Sequence, residues 1–277
     1  MKNATPKVAV LMGGIGRERE VSLKSGACVA EALSGAGFDT RAWDTTPENL
    51  RIIDDDSIDC FFIALHGEFG EDGGLQAILE EKGRVYTGSK PDVCRHTFHK
   101  MASKASFTEA GLLTPRAVEF KPGQANEQLR INDRVVIKPI CQGSSVGIHI
   151  VDTSADLAAL CEQVFAEFGD CMVEEFIAGR ELTVGMLNDR ALPVIEIRPQ
   201  ADFYDYHAKY VDEGTQYLFD TVEPSLAQAL QQDALRCCRH LGLRHMARVD
   251  YILSPDKRAY VLEVNTIPGL TSHSLLP

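Results

Sequence analysis

Arg248-Val249-Asp250, Glu263-Val264-Asn265 and Pro268-Gly269 are the residues whose types and spacing speak most directly of chemistry. Residues 247–253 and 259–264 alternate with period two around the turn signal Ser254-Pro255-Asp256-Lys257, which predicts a β-hairpin. With an even-length loop, Ala247, Val249, Tyr251, Leu253, Tyr260, Leu262 and Val264 share one face, and Arg248, Asp250, Glu263 and Asn265 share the other. Two carboxylates and an amide oxygen on one strand face make a hard-oxygen donor set of the kind that holds Mg²⁺ against nucleotide phosphates. The competing interpretation is a solvated sheet face with Arg248 paired to an acid, and only further motifs separate the two.

Further motifs exist. A strand ending at Lys138 runs into Gln142-Gly143-Ser144-Ser145-Val146-Gly147. Glycines let backbone N–H groups turn toward an anion, and the serines add donors. No Gly-Lys-Ser/Thr is present and a strand follows, so this is not a Walker A loop. It reads as a flap over phosphates or as a flexible hairpin tip, and Lys138 just upstream favours the flap. Lys100, in His99-Lys100-Met101-Ala102-Ser103-Lys104, is by itself a solvated helix lysine. Glu174-Glu175-Phe176-Ile177 leads toward Gly179-Arg180-Glu181, where a strand edge could offer main-chain groups to adenine and a carboxylate could take ribose hydroxyls. The stretch 199–221 contains Phe203-Tyr204-Asp205-Tyr206-His207-Ala208-Lys209-Tyr210, an aromatic-rich segment that is either a lid or an exposed loop pinned by its tyrosines. Gly13-Gly14-Ile15-Gly16-Arg17-Glu18-Arg19-Glu20 fails the dinucleotide fingerprint, because Arg19 stands where a third small residue is required. An acid there is better used on a substrate ammonium. His66 sits where a strand meets the cleft, as a site residue or a structural histidine.

The elements that must position these residues follow from periodicity. Lys7–Met12 is a buried strand, Ser22 is a plausible N-cap for a helix through about Leu33, and strands follow near Asp39–Asp44 and Cys60–Leu65. A helix over 75–81 and a short strand at Val85-Tyr86 complete a βαβ rhythm with a parallel sheet, whose ligands belong outside the carboxyl ends of the strands. Helix is predicted over 91–110, 154–168 and 225–241, and strand over 135–138, 148–151, 171–177, 181–187 and 192–198. The expected class is α/β with α+β lobes, divided into about 1–95, 96–186 and 187–277.

The 277 residues are 44% hydrophobic and 25% charged, an ordinary globular composition. A net charge of −12 with no basic run argues against nucleic acid or an anionic membrane as partner. Eight cysteines without a C-x-x-C read as reduced core residues of a cytoplasmic protein, and neither a signal peptide nor a bilayer-spanning apolar run is apparent.

From Val8 to Pro277 the chain closely resembles the D-alanine–D-alanine ligases of the ATP-grasp superfamily. The likeness rests on Glu18-Arg19-Glu20-Val21-Ser22, Ala64-Leu65-His66-Gly67, Gly143-Ser144-Ser145-Val146-Gly147, the Phe203–Tyr210 segment, and Asn265-Thr266-x-Pro268-Gly269-x-Thr271-Ser272-His273-Ser274-Leu275. The resemblance implies an ATP-grasp fold behind an N-terminal parallel-sheet domain. It implies Mg²⁺, or Mn²⁺ in its place, on Asp250, Glu263 and Asn265, and ATP phosphates on Lys100, Lys138 and Lys209. Glu174 and the backbone of Glu175, Phe176 and Ile177 would meet adenine, and Glu181 the ribose. Glu18, with His66 nearby, would take the ammonium of the first D-alanine. Arg248 and the Gly269 N–H would form an oxyanion hole, Ser274 and Leu275 would fix a carboxylate, and Ser144 with Tyr210 would link flap to lid.

The implied activity is ATP-dependent joining of two D-alanines through a D-alanyl phosphate for peptidoglycan precursor synthesis, by a cytoplasmic homodimer. Tyr210 implies a dipeptide rather than a D-lactate product. The alternatives are an ATP-grasp ligase with another acceptor and a nucleotide-binding relative without turnover. The chain departs from the family pattern at His99, at Gln142 and at Ile267, and relatives usually continue beyond the position of Pro277 into a helix that packs the C-terminal lobe.

Overall fold

The computed structural model describes residues 5–199, 214–271 and 274–276. Its described strands form three sheets, each with its own apolar core.

The first sheet is parallel, in the order β2 (Asp39–Thr45), β1 (Lys7–Gly13), β3 (Cys60–Ile63). Apolar groups cover both faces of β1: Ala9 and Leu11 pack with Phe61, Ile63 and Leu75, while Val10 packs with Val29 and Ala64. Burial on both faces explains why this strand reads as a continuous apolar run. Helix α1 (Arg19–Gly35) starts before Ser22, which is therefore no N-cap. Its hydroxyl instead accepts the Gly13 N–H (2.9 Å) and donates to Ala64 O (2.7 Å), joining the ends of β1 and β3 from inside the helix. Helix α2 (Gly74–Glu81) follows the loop after β3. The strand expected at Val85-Tyr86 is a single bridge between Phe61 and Tyr86, because Gly83 and Gly88, both at positive φ, leave too short a span for a ladder.

One helix was expected over 91–110, and two are present: α3 (Pro91–Phe98) and α4 (Lys100–Glu109). The break is His99, whose extended backbone (φ −86°, ψ 99°) lets its ring accept the Ala102 N–H and cap α4. Capping at His99 sets Lys100 at the first turn of a helix that buries Phe107 in the core of the third sheet.

The second sheet is antiparallel, in the order β4 (Ala117–Glu119), β7 (Cys171–Glu175), β5 (Arg134–Pro139), β6 (His149–Asp152). A short helix, α5 (Asn126–Leu129), lies beside α6 (Leu157–Phe168), whose start is capped by Asp156. Strand alternation sends Val135, Ile137, Cys171 and Val173 into the core under α6, and Val136, Lys138 and Glu174 to the opposite face.

The third sheet has the order β10 (Gln216–Leu218), β9 (Arg190–Arg198), β8 (Arg180–Leu187), β11 (Met246–Leu253), β12 (Ala259–Asn265), all antiparallel, with α7 (Pro224–Leu241) against one face. Strand β10 forms within the 199–221 stretch, which shows no strand periodicity in its sequence. Strand β8, which lies on the central side of the division at 186/187 except for Leu187, hydrogen-bonds into this sheet.

The hairpin of β11 and β12 carries the acidic residues together, but its faces differ from the expectation. Asp250 pairs with Glu263 and then Tyr251 with Val261, so a β-bulge makes Leu262 the extra residue. Val261 and Ala259 therefore join the core in place of Leu262 and Tyr260, and Leu262 turns to the cleft beside Glu263.

Of the eight cysteines, all free, Cys28 and Cys141 are exposed rather than in the core, and Cys94, Cys161, Cys171, Cys237 and Cys238 are buried. Among the described residues no helix is long and apolar enough to cross a membrane.

Candidate active site

The second and third sheets face each other across a cavity of about 400 Å³. The inward residues of β5 and β7 form one wall, and those of β8, β9, β11 and β12 the other. Lys138 at the end of β5 and Glu174 on the neighbouring β7 make an ion pair of 2.6 Å, both nearly inaccessible. Lys104 of α4 holds the other oxygen of Glu174 at 2.6 Å and donates to Thr114 Oγ1 at 2.8 Å. Burial alone would raise the Glu174 carboxyl, but Lys138 and Lys104 outweigh it and hold it below the usual carboxylate range. Burial pushes the Lys104 ammonium down, against the pull of Glu174.

Lys100 is partly buried, its side chain 12% exposed, and desolvation lowers its ammonium while Glu263, 3.9 Å away, opposes that shift. Its Nζ donates to Gln142 O at the base of the glycine flap. Lys100 and Lys138 thus line one cleft, with Lys104 behind them, in a protein whose net charge is −12. Phe176 and Ile177 line the cavity just beyond β7, and Glu181 does so from β8. At the rim Glu196, buried on β9, is held by Arg180 and by Arg198, the latter at 2.8 Å.

Asp250 of β11 lies opposite Glu263 of β12, with Arg248 opposite Asn265 one pleat along the same face. Arg248 grips Asp250 bidentately, at 2.9 Å through each nitrogen. Thr183 of β8 donates to Asp250 Oδ1 (2.6 Å) and Asn265 Nδ2 to its Oδ2 (2.9 Å). With its amide nitrogen so committed, Asn265 has its Oδ1 as the remaining hard donor. Two carboxylates and an amide oxygen beside buried lysines have the donor chemistry of a Mg²⁺–phosphate site. Among the described residues no cluster of three His, Cys, Asp or Glu is gathered for a metal, so the amide is an integral part of any such set.

A smaller cavity, about 60 Å³, adjoins the first and shares Glu263 and Gly143 with it. Glu18, the residue before α1, projects into it and accepts from the Ser144 hydroxyl of the flap. A Cβ on Gly67 or on Gly143 would come within 2.6 or 2.8 Å of the Glu18 carboxylate, so its seat exists only because both positions are glycine. Gly67 in addition has φ +68°. His66 is buried between Ser25 Oγ (3.0 Å from Nε2) and Ile267 O (3.2 Å from Nδ1). Burial brings its pKa down to about 4, with the Ile267 carbonyl opposing and Arg248 adding to the fall. Glu71, also on this cavity, is pushed up to about 8, by burial first and then by the nearby Glu18. Ser274 stacks against Gly269, where an added Cβ would lie 2.7 Å from the hydroxyl, and Leu275 packs beside Ile197 and Tyr217.

The structure thus gathers Lys100, Lys138, Glu174, Glu175, Phe176, Ile177, Glu181, Asp250 and Glu263 around the larger cavity. It gathers Glu18, His66, Ser144, Arg248, Glu263, Asn265, Gly269, Ser274 and Leu275 around the smaller one. Lys209, Tyr210 and the rest of the 203–210 segment lie outside the described residues, as do Ser272 and His273. Sequence reasoning missed Lys104, Thr183 and Glu71. Lys104 and Thr183 carry no signal beyond their spacing, four residues after Lys100 and two after Glu181. Glu71 was within reach, as the second acid of the loop that opens with His66.

The chain is similar to known proteins over nearly its whole length. Residues 116–277 match the family model described as D-ala D-ala ligase C-terminus. A D-alanine–D-alanine ligase of Pelobacter propionicus is 42% identical over 277 residues, covering 98% of this chain and 88% of the relative. The crystal structure of the Bacillus anthracis D-alanine–D-alanine ligase superimposes with a TM-score of 0.86 at 33% identity, covering 99% of this chain and 90% of that one. The same enzyme complexed with ATP gives a TM-score of 0.85 at 32% identity, again covering 99% and 90%.

Proposed function

We propose, for a chain that belongs to the D-alanine–D-alanine ligase family, that it joins two D-alanines into D-alanyl-D-alanine with ATP, a step of peptidoglycan precursor synthesis. The observation that carries this reading is the junction of the two cavities at Glu263 and Gly143. A nucleotide in the larger one then delivers its terminal phosphate to a small substrate in the smaller one.

In this reading adenine lies against Phe176 and Ile177 near Glu174 and Glu175, the ribose near Glu181, and the phosphates run toward Lys138 and Lys100. Lys209 belongs to the same cation set by the family pattern. Asp250, Glu263 and Asn265 would hold Mg²⁺, or Mn²⁺ in its place, which supplies neutralisation of the phosphoryl charge when bound. Glu18 holds the ammonium of the first D-alanine, so that its carboxylate attacks the γ-phosphate and yields D-alanyl phosphate and ADP. The amine of the second D-alanine, fixed through its carboxylate by Ser274 and Leu275, attacks the activated carbonyl, loses a proton, and expels inorganic phosphate as the C–O bond to it breaks. Arg248, already held in orientation by Asp250, and the Gly269 N–H stabilise the oxyanion. The Ser144–Glu18 hydrogen bond keeps the flap closed over the acyl phosphate, excluding water, and by the family pattern Tyr210 would link the flap to a lid. A cytoplasmic location and self-association through the first lobe, 1–95, belong to the same reading, with 96–186 and 187–277 as the two halves that clasp ATP.

Phosphate release from ATP and Mg²⁺, measured with D-alanine, with L-alanine, with D-lactate and with no acceptor, tests it. Release that requires D-alanine and yields the dipeptide is the expected result. Nucleotide binding without D-alanine-dependent release would refute it.

A further inference from the structure

The segment 266–270 reaches from the third sheet into the first. Ile267 is buried in the core formed by Leu11, Phe61 and Leu75, and Leu270 packs against the cluster of Val10, Val29 and Ala64. Gly269 hangs between these two anchors, its position set by how the backbone on either side is held. His66 and Ser25 of the first lobe hold it from one side, and the Glu71 carboxyl also meets the Ile267 backbone. His66 Nδ1 lies 3.2 Å from Ile267 O, His66 Nε2 lies 3.0 Å from Ser25 Oγ, and the Leu270 N–H donates to Ser25 Oγ at 3.3 Å.

The proton positions in this chain are fixed by elimination. A carbonyl oxygen only accepts, so Nδ1 carries the imidazole proton. Nε2 of the neutral ring then only accepts, so the Ser25 hydroxyl donates to it. The Ser25 oxygen is left to accept the Leu270 N–H. The neutral state is supported by burial, which brings the His66 pKa down to about 4. Ser25 is wholly buried inside α1, so no water replaces what its removal takes away.

We infer that Ser25 is a positioning residue for the Gly269 N–H, acting through the tautomer of His66 and through Leu270. It touches no substrate in the proposed arrangement. It fixes both ends of the segment that bears the oxyanion donor, and it uses both functions of one hydroxyl to do so. The kinetic part of this inference rests on the ligase reading above, whereas the structural part does not.

The test compares the full-length wild type with Ser25→Ala, and with Ser25→Thr, which retains the hydroxyl. Nitrogen-15 spectra of the histidine side chains, with His66 assigned by its loss in His66→Gln, are expected to show the Nδ1–H tautomer in the wild type and in Ser25→Thr. Ser25→Ala is expected to show a mixture of tautomers, faster amide exchange at 267–270, and a kcat at least tenfold lower with the KM for ATP within twofold. A wild type in the Nε2–H form overturns the inference. So does a Ser25→Ala variant with unchanged exchange at 267–270, or one in which kcat and ATP affinity fall together with the loss of the fold, which would make Ser25 an ordinary core residue. If the wild type releases no D-alanine-dependent phosphate, the ligase reading fails, and the tautomer and exchange measurements still decide the role of Ser25.

Discussion

Lys104 and Lys138 are joined through one carboxylate, each ammonium lying 2.6 Å from a different oxygen of Glu174. Of these three, Lys138 and Glu174 line the larger cavity; Lys104 stands behind them on α4, tied to Thr114, whose own hydroxyl donates to Val261 O of β12. The triad therefore ties α4 to the second and third sheets while carrying a net charge of +1. Removing Lys104 leaves Glu174 with Lys138 as its only cation in the triad, and the net charge falls to zero. Lys104→Met is expected to weaken ATP binding about three- to tenfold in a calorimetric titration. Glu174→Gln would leave two buried ammonium groups without a counter-charge, and about 3–5 kcal/mol of stability is expected to be lost in urea unfolding. A loss below about 1 kcal/mol would mean that water or another acid already screens the pair.

The register pair of Asp250 and Glu263 predicts separable effects. Asp250 is committed to Arg248, Thr183 and Asn265, so Asp250→Asn should cost both stability and turnover. Glu263 is partly exposed at the junction of the cavities, and its cationic neighbour Lys100 is 3.9 Å away. Glu263→Gln is expected to leave the melting temperature nearly unchanged and to raise the Mg²⁺ concentration for half-maximal phosphate release at least tenfold. An unchanged Mg²⁺ requirement would remove Glu263 from the metal set.

Much of this site was readable in the chain because it follows strand periodicity. Lys138, Glu174, Arg248, Asp250 and Glu263 all lie on strands whose alternate residues enter a core, so their facing is fixed once the strand is recognised. The bulge at Leu262 was not readable, because Ala259-Tyr260-Val261-Leu262 offers two apolar sets of similar size and only packing against β11 and the α7 side of the sheet selects one. Ser22 looked like a helix cap from its type, but its oxygen serves Gly13 and Ala64, partners that exist only after the sheet has formed. The break at His99 was hidden for a similar reason. Its flanking residues suit a continuous helix, and the interruption is stabilised by a cap and by the burial of Phe107 in a distant core.

Glu196 should make stability depend on acid. It is buried on β9, which would raise its carboxyl, but hydrogen bonds from Arg180, Arg198 and Thr221 bring it to about 2, from an ordinary value of 4.5. A depressed carboxyl contributes stability that is fully present above pH 4.5 and is lost as pH falls through about 2. Because both arginines are substantially exposed, the contribution at neutral pH is about 1–3 kcal/mol. Unfolding free energies of wild type and Glu196→Gln are expected to differ by that amount at pH 7, and by less than half of it near pH 3. A gap independent of pH would show that Glu196 acts through packing and not through its charge.

Gly143 provides a test of how the flap meets the first lobe. The Glu18 carboxylate lies over its backbone, with a Cβ there falling 2.8 Å from one oxygen and 3.2 Å from the other, while Ser144 donates to the same group. A methyl group at 143 must therefore displace either Glu18 or the flap. Glu18 is also confined by Gly67 below it, where an added Cβ would come within 2.6 Å, so the flap is the part that gives way. Gly143→Ala is expected to lift the flap from the smaller cavity and break the Ser144–Glu18 hydrogen bond. Turnover with D-alanine should fall tenfold or more, and the fraction of acyl phosphate lost to water should rise, visible as phosphate released in excess of dipeptide. Gly35→Ala is the control: apart from its chain neighbours and the backbone of its own helix nothing lies within 4 Å of the added Cβ, and it should leave both quantities unchanged. Coupled phosphate release with wild-type stoichiometry in Gly143→Ala would mean that the flap closes on Glu18 without needing the glycine.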